Sequence, residues 1–289
     1  MKLCKTINEI RQAVKDARSK GQIIGFVPTM GALHIGHETL IKQAAGQCGF
    51  VVVSIFVNPT QFEPGSDYNA YPQTLDADME LCQRAGASAV FAPSASEMYP
   101  QEVITWVNVE KLADGLCGQY RPGHFKGVAT VCAKLFNIVL PDKAYFGQKD
   151  AQQLAVIKRM VADLNMPLEI ITCATVREES GLAMSSRNKY LTDAEKKEAA
   201  LIYASLQLCE VLFEAGETDT KTLIAEMQKL LSNSPNIKIQ YIEIVDTQTL
   251  QPLDKITGSA ILAIAAYLGK ARLIDNVIIK NIASQRIAK

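Results

Sequence analysis

Residues Gly25 to Leu40 read GFVPTMGALHIGHETL, and this stretch decides the fold. The apolar run around it (Ile23, Ile24, Phe26, Val27) has the composition of a buried parallel strand; Pro28 is expected to stop it, Gly31 opens a turn, and a helix is expected from about Gly36 or His37. A strand, a glycine turn and a helix start form a phosphate site, because the first helical N–H groups lack partners and the helix dipole adds partial positive charge. Gly36 leaves room for a polyphosphate to approach the backbone. Two of the chain's three histidines, His34 and His37, flank that glycine. Neutral imidazoles there offer N–H donors that strengthen their hold as charge develops on phosphorus.

Working outward, apolar runs alternate with amphipathic stretches through the first two thirds of the chain. Strands are expected at 23–27, 51–56, 89–91, 144–146 and 168–171, and helices at 37–47, 75–85, 127–139 and 151–165. Such alternation implies an α/β fold, a doubly wound parallel sheet whose ligands gather at the carboxyl ends of the strands. The texture changes after about Arg177. A Thr-capped amphipathic helix begins near Thr192, a second helix covers about 221–231, and three short blocks (IKIQYIEIVD, SAILAIAAYLG, ARLIDNVII) suggest a small antiparallel sheet. The expected organisation is a Rossmann-like unit over 1–177 and a smaller C-terminal α+β domain over 178–289.

Among the 289 residues, thirty Lys and Arg balance thirty Asp and Glu, so no global field recruits nucleic acid or an anionic membrane. Seven isolated cysteines, with no CxxC, argue against a zinc array or a disulfide framework. No segment has the roughly eighteen uninterrupted apolar residues of a membrane span, and the N-terminus lacks a signal-like apolar region, so a cytoplasmic protein is expected.

The HxGH spacing resembles the signature of the nucleotidyl-transferring, Rossmann-like superfamily. Four further blocks join it: VNPTQF (57–62), RPGHFKGVATV (121–131), AYFGQKDAQQL (144–154) and GLAMSSRNKYL (181–191). In order and spacing, the five together resemble the pantothenate synthetase family across nearly the whole chain. The resemblance implies a ligase on the coenzyme A pathway that joins (R)-pantoate to β-alanine. Pantoate's carboxylate attacks the α-phosphorus of ATP, pyrophosphate leaves, and the amine of β-alanine then displaces AMP from pantoyl adenylate. It further implies Mg²⁺ with ATP, a homodimer, and no nucleic-acid or membrane partner.

Residue by residue, the resemblance places ATP against Met30, Gly31, Ala32, Leu33, His34, Ile35, Gly36 and His37, with His37 as proton donor. Gly147, Gln148, Lys149 and Asp150 form a second ATP block, in which Lys149 is a flexible cation able to follow separating phosphates. Met184, Ser185, Ser186 and Arg187 correspond to the superfamily's mobile phosphate loop, Arg187 offering a planar fork, and Val176 matches a backbone contact to adenine. His34, His37, Lys149 and Arg187 are thus the catalytic candidates. Gln61 and Gln153 match pantoate ligands, Gln61 also contacting β-alanine; neutral amides orient a carboxylate without neutralising the nucleophile. Met30 and Phe62 are candidate apolar walls for the gem-dimethyl group, and Asp78 or Asp150 candidate metal carboxylates, while Asn58, Tyr71, Arg121 and His124 lie in matching blocks without an assigned role.

Three rival readings stay open at this level. A nucleotidylyltransferase acting on a phosphorylated acceptor would share the sheet and the HxGH, but calls for extra cations near its acceptor. A nucleotide sensor without catalysis would keep the ATP grip, and a metal hydrolase would use His34, His37 and His124 as ligands.

Overall fold

The computed structural model describes residues 1–62, 68 and 71–280. In chain order the elements are β1 (Lys2–Cys4), α1 (Ile7–Arg18), β2 (Ile24–Thr29), α2 (Ile35–Ala45), β3 (Phe50–Ile55), α3 (Leu75–Ala85), β4 (Ala89–Phe91), α4 (Ala95–Met98) and α5 (His124–Val139). There follow β5 (Lys143–Gly147), α6 (Ala151–Asp163), β6 (Glu169–Cys173), α7 (Asp193–Glu214), α8 (Thr220–Leu231), β7 (Lys238–Asp246), β8 (Ser259–Leu268) and β9 (Ala271–Lys280). Six parallel strands form one sheet in the order β1-β4-β3-β2-β5-β6, and β7-β8-β9 form a separate antiparallel sheet. Both sheets agree with the expected α/β architecture.

The parallel strands are apolar on both faces because helices cover both. Phe26, Val52, Phe91 and Phe146 point into a core shared with α1, α5 and α6. Their neighbours Val27, Val51, Val53, Val90 and Tyr145 point the opposite way, against α2 and α3. From β2 the chain moves outward to β3 and β4, then returns to place β5 on the other side of β2. This reversal opens a crevice beyond the carboxyl ends of β2 and β5, where open α/β sheets hold their ligands.

Pro28 does not end β2, which runs on through Thr29. The N–H of Asp142 donates to Ile24 O and that of Phe56 to Thr29 O, so even-numbered residues of β2 bond toward β5 and odd-numbered ones toward β3. The N–H that proline lacks would face β5, and pairing with β5 reaches only Phe26. The strand therefore loses nothing at Pro28. A second difference is β1, a three-residue edge strand paired with β4, too short to leave a periodic signal.

The antiparallel sheet lies between two layers. Leu262, Ile264, Leu273 and Ile279 face α7 and α8. Ile261, Ala263, Ala265 and Ile274 face the core of the parallel sheet. Helix α7 has the Thr192 cap expected from the sequence, completed as a capping box in which Thr192 and Glu195 bond each other's backbone N–H groups. No described helix is long and apolar enough to cross a membrane.

Candidate active site

The turn after β2 is held in an uncommon backbone shape. Gly31 has φ 88° and Ala32 φ 51°, both left-handed, and the latter costs an alanine about 1–2 kcal/mol. Asp78, from α3, offsets that cost: its carboxylate accepts from the N–H of Ala32 at 3.0 Å and of Leu33 at 2.8 Å, and from Thr74 Oγ1 at 3.2 Å. Asp78 is 3% exposed, so of the two metal candidates it is the structural one.

This turn delivers His34 as the N-cap of α2. The N–H of Gly36 donates to His34 Nδ1 at 3.1 Å, and the N–H of His34 donates to His37 Nδ1 at 3.3 Å. Both Nδ1 atoms are acceptors, so each neutral ring carries its proton on Nε2. The rings lie 4.2 Å apart, centroid to centroid. Burial, reinforced by nearby Lys149, lowers the His34 pKa to about 4; burial, His34 and Lys149 lower that of His37 to about 3. Both imidazoles are neutral donors at pH 7. The amide of Gly36, expected from the sequence among the first helical N–H groups to be open to phosphate, is occupied by the His34 ring, and the amide of His34 by the His37 ring. The Nε2–H groups of the two rings remain as donors for an anion.

Gly36 is required for this packing. A Cβ there would lie 2.8 Å from His34 Cε1 and 2.9 Å from Nδ1. Gly36→Ala should displace the His34 ring; the lost cap (about 1 kcal/mol) is offset by up to about 1 kcal/mol of helix propensity. We expect a nearly unchanged melting temperature with weakened ATP binding by calorimetric titration. An unchanged ATP affinity would contradict the placement of His34.

The crevice holds two adjoining cavities. The first is lined by Met30, His34, Gly36 and His37 from the β2 turn, Gly147, Lys149 and Asp150 after β5, Val176 after β6, and Met184, Ser185, Ser186 and Arg187. Most of the expected ATP residues thus meet at one place. Gly31 lines a neighbouring cavity beside Asp78, Ala32 and Leu33 serve through their bonds to Asp78, and Ile35 is 45% exposed. Ser185 Oγ accepts the N–H of Arg187 at 3.2 Å, a local turn bond that orients the loop.

The second cavity shares Lys149, Asp150 and Arg187 with the first and adds Gln153, Arg121, His124 and Arg272. The neighbouring Gln152 is committed elsewhere: it is 6% exposed, accepts from Cys117 N–H and donates to Leu112 O and Gly115 O. This cavity is richer in cations than the sequence suggested, so a shortage of positive charge does not argue against a phosphorylated acceptor.

Gln61 is buried, donating to Met30 Sδ at 2.9 Å and accepting from Asn58 Nδ2 at 3.1 Å. Asn58 also donates to Gly127 O and accepts from Tyr99 OH, so its role is to brace the 59–61 turn against α5. Gly127 permits that contact, since a Cβ there would collide with Thr60 O. His124 pairs with Gln61 O through Nδ1 at 2.9 Å and with Arg121 through Nε2 at 3.2 Å. The carbonyl accepts and the guanidinium donates, which fixes the neutral Nδ1–H tautomer. Burial, then Arg121, lowers its pKa to about 4. With both nitrogens occupied, His124 is not available as a metal ligand, and among the described residues no group of three or more His, Cys, Asp or Glu side chains could hold a metal. Phe62 packs on Tyr68 and Tyr71, and Tyr71 lines the first cavity. Residues 63–67, 69 and 70 of the long loop lie outside the described residues.

This geometry has known counterparts. The family model for pantoate-beta-alanine ligase matches residues 2–278. The chain belongs to the pantoate-beta-alanine ligase family. The pantothenate synthetase of Pelotomaculum thermopropionicum is 53% identical over 279 residues, covering 96% of this chain and 99% of that protein. A crystal structure of the Thermus thermophilus enzyme superposes with a TM-score of 0.91 at 44% identity, covering 96% of this chain and 99% of the other. That of the Francisella tularensis ligase, described as complexed with beta-gamma ATP and beta-alanine, gives a TM-score of 0.77 at 37% identity over 96% of this chain and 97% of that one. Asp78, expected as a candidate metal carboxylate, and Asn58, expected without a role, instead brace the site's backbone, while Arg177, Asp275 and Asn276 support it without having been singled out as site residues in the sequence. The last two had a readable signal: adjacent polar residues inside the otherwise apolar run ARLIDNVII.

Proposed function

We propose that the chain condenses (R)-pantoate with β-alanine, the activity for which its family is named, through pantoyl adenylate. The observation that carries this reading is the convergence of two neutral imidazoles, Lys149 and Arg187 on one cavity at the crevice between β2 and β5. An adjoining cavity contains an amide, Gln153. A pantoate oxygen forms the new bond to the α-phosphorus of ATP while the bond to the bridging oxygen breaks, so charge moves onto the α-phosphoryl oxygens and pyrophosphate. Nε2–H of His34 and His37 donates to that charge, and the Lys149 ammonium and Arg187 fork hold the departing phosphates. The amine of β-alanine then attacks the acyl carbon and AMP leaves. The cations of the second cavity suit the carboxylate of β-alanine, which takes no part in bond formation, and the phosphates of ATP.

Mg²⁺ bound with ATP would be held mainly by phosphate oxygens and water, with Asp150, which lines both cavities, as the candidate protein carboxylate, and would neutralise charge on the departing pyrophosphate. The second unit, residues 178–289 in this reading, carries Ser185–Arg187 over the triphosphate and excludes water from a hydrolysable adenylate. A cytoplasmic homodimer without nucleic-acid or membrane partners completes the proposal.

The test is pyrophosphate exchange into ATP, which should require pantoate and no phosphorylated compound. Exchange driven by a phosphorylated acceptor would favour the nucleotidylyltransferase reading, and ATP binding without exchange would favour a sensor. Within the enzyme reading, Gln153→Leu should raise the KM for pantoate by about tenfold or more, because a buried polar group on the substrate loses its partner, with ATP binding unchanged. Equal weakening of ATP binding in steady-state titrations would contradict that assignment.

A further inference from the structure

Strand β9 alternates its side chains between two layers, and two consecutive polar residues use both. Asp275 faces the α7 side of the sheet, where it takes the Arg177 guanidinium through two bonds of 2.5 and 3.1 Å. Arg177 also lies 3.5 Å from the ring centre of Tyr203 on α7 and donates to Gly181 O, at the start of the segment leading to Ser185. Asn276 faces the parallel sheet. Its Nδ2 donates to Gln148 O at 3.1 Å and Lys149 O at 2.9 Å, while its Oδ1 accepts from Gln148 Nε2 at 2.9 Å. At 4% exposure, its carboxamide is committed to this one dipeptide.

We infer that Asn276 is a positioning residue for Lys149, setting from the antiparallel sheet where that ammonium stands relative to the transferring phosphates. This rests on the proposed adenylation reading, in which Lys149 contacts ATP. Lys149 starts from the short turn before α6, and a long flexible side chain reaches a repeatable point only if its backbone is fixed. The three bonds from Asn276 fix it. They also give the link a direction: the strand that grips Arg177, beside the adenine-side residue Val176, grips the phosphate-side lysine one residue later. Movement of β9 relative to the parallel sheet therefore shifts Lys149.

A merely stabilising role for Asn276 would lower the melting temperature and act independently of Lys149. A positioning role is lost when Lys149 is absent. The experiment is a double-mutant cycle on pantoate-dependent pyrophosphate exchange with wild type, Asn276→Ala, Lys149→Ala and the double variant. Asn276→Ala is expected to reduce kcat for exchange by roughly tenfold to a hundredfold, the scale of a small misplacement, with KM for pantoate unchanged. In the Lys149→Ala background the same substitution should have little further effect. Asn276→Ser, which keeps one donor, should fall between Asn and Ala. Asn276→Asp, which has the shape of Asn but sets a carboxylate against two carbonyls, should resemble Ala.

Losses that multiply in the double variant, or wild-type kcat in Asn276→Ala or Asn276→Asp, would overturn the inference. Should Asn276→Ala not fold, the rank of the kcat values in the Ser and Asp variants decides between the two roles. Wild-type protein that exchanges no pyrophosphate would instead overturn the adenylation reading and the inference with it; an active wild type with additive losses overturns the inference alone.

Discussion

Replacing His37 with Ala is expected to slow pantoate-dependent adenylation by roughly a hundredfold or more, the usual consequence of deleting one preorganised donor to a developing oxyanion. The variant loses the Nε2–H of a ring that lines the first cavity and also the Nδ1 that accepts the His34 N–H at 3.3 Å. The chemical loss can be separated from damage to the fold by pH. Burial holds the pKa of His37 near 3, below that of an unfolded histidine, about 6.5. The native state thus resists a proton that the unfolded chain accepts, and stability falls as pH drops from 6.5 toward 3. Removing the ring should make that decline shallower while exchange slows at pH 7. Rapid exchange by the variant at neutral pH would remove His37 from the mechanism, and an unchanged acid-unfolding profile would contradict its burial as a neutral ring.

Asp275→Ala is expected to cost about 3–5 kcal/mol of stability, because it leaves the Arg177 guanidinium without its carboxylate in a largely desolvated place. The side chains of Arg177 and Asp275 are 17% and 3% exposed. Asp275 also accepts the N–H of Asn276 at 2.8 Å, so the backbone of β9 loses a bond at the point where it contacts the site. Urea unfolding followed by circular dichroism measures the effect; a change below about 1 kcal/mol, the scale of an exposed pair, would mean that the pair is solvated in solution. Arg177→Met, which stacks on Tyr203 and strands the carboxylate instead, should be comparably damaging.

The parallel sheet was legible because strands buried on both faces read as near-continuous apolar runs, and β4 (Ala89–Phe91) and α3 (Leu75–Ala85) agree with the reading to the residue. Helix starts were less legible. Helix α2 begins at Ile35 rather than 37 because His34 caps it, and imidazole is not among the usual capping side chains. Helix α5 begins at His124 rather than 127, after a left-handed Gly123. The catalytic candidates were visible because short motifs carry them. What the sequence concealed was the scaffold behind them: Asp78 reaches the β2 turn across 45 and 46 residues, and Asn276 reaches Lys149 across 127. Such partners are set by topology, and no local spacing announces them. The disposition of the three histidines was likewise hidden, since which ring nitrogen bears hydrogen depends on contacts that only the folded chain makes.

The division of labour along β9 makes the enzyme unforgiving of insertions and deletions. Leu268 and Ala271 pair across a two-residue turn, Gly269 and Lys270, which leaves the hairpin one alignment. Gly269 is left-handed at φ 55°, and a methyl group there would meet the Glu195 carboxylate. Gain or loss of a single amino acid between this turn and Asp275 would trade the two faces. The acid would then confront the peptide oxygens behind Lys149, and the amide would confront a cation it cannot neutralise. Length variation in related chains should accordingly collect before β8 or after β9, and spare the hairpin between them.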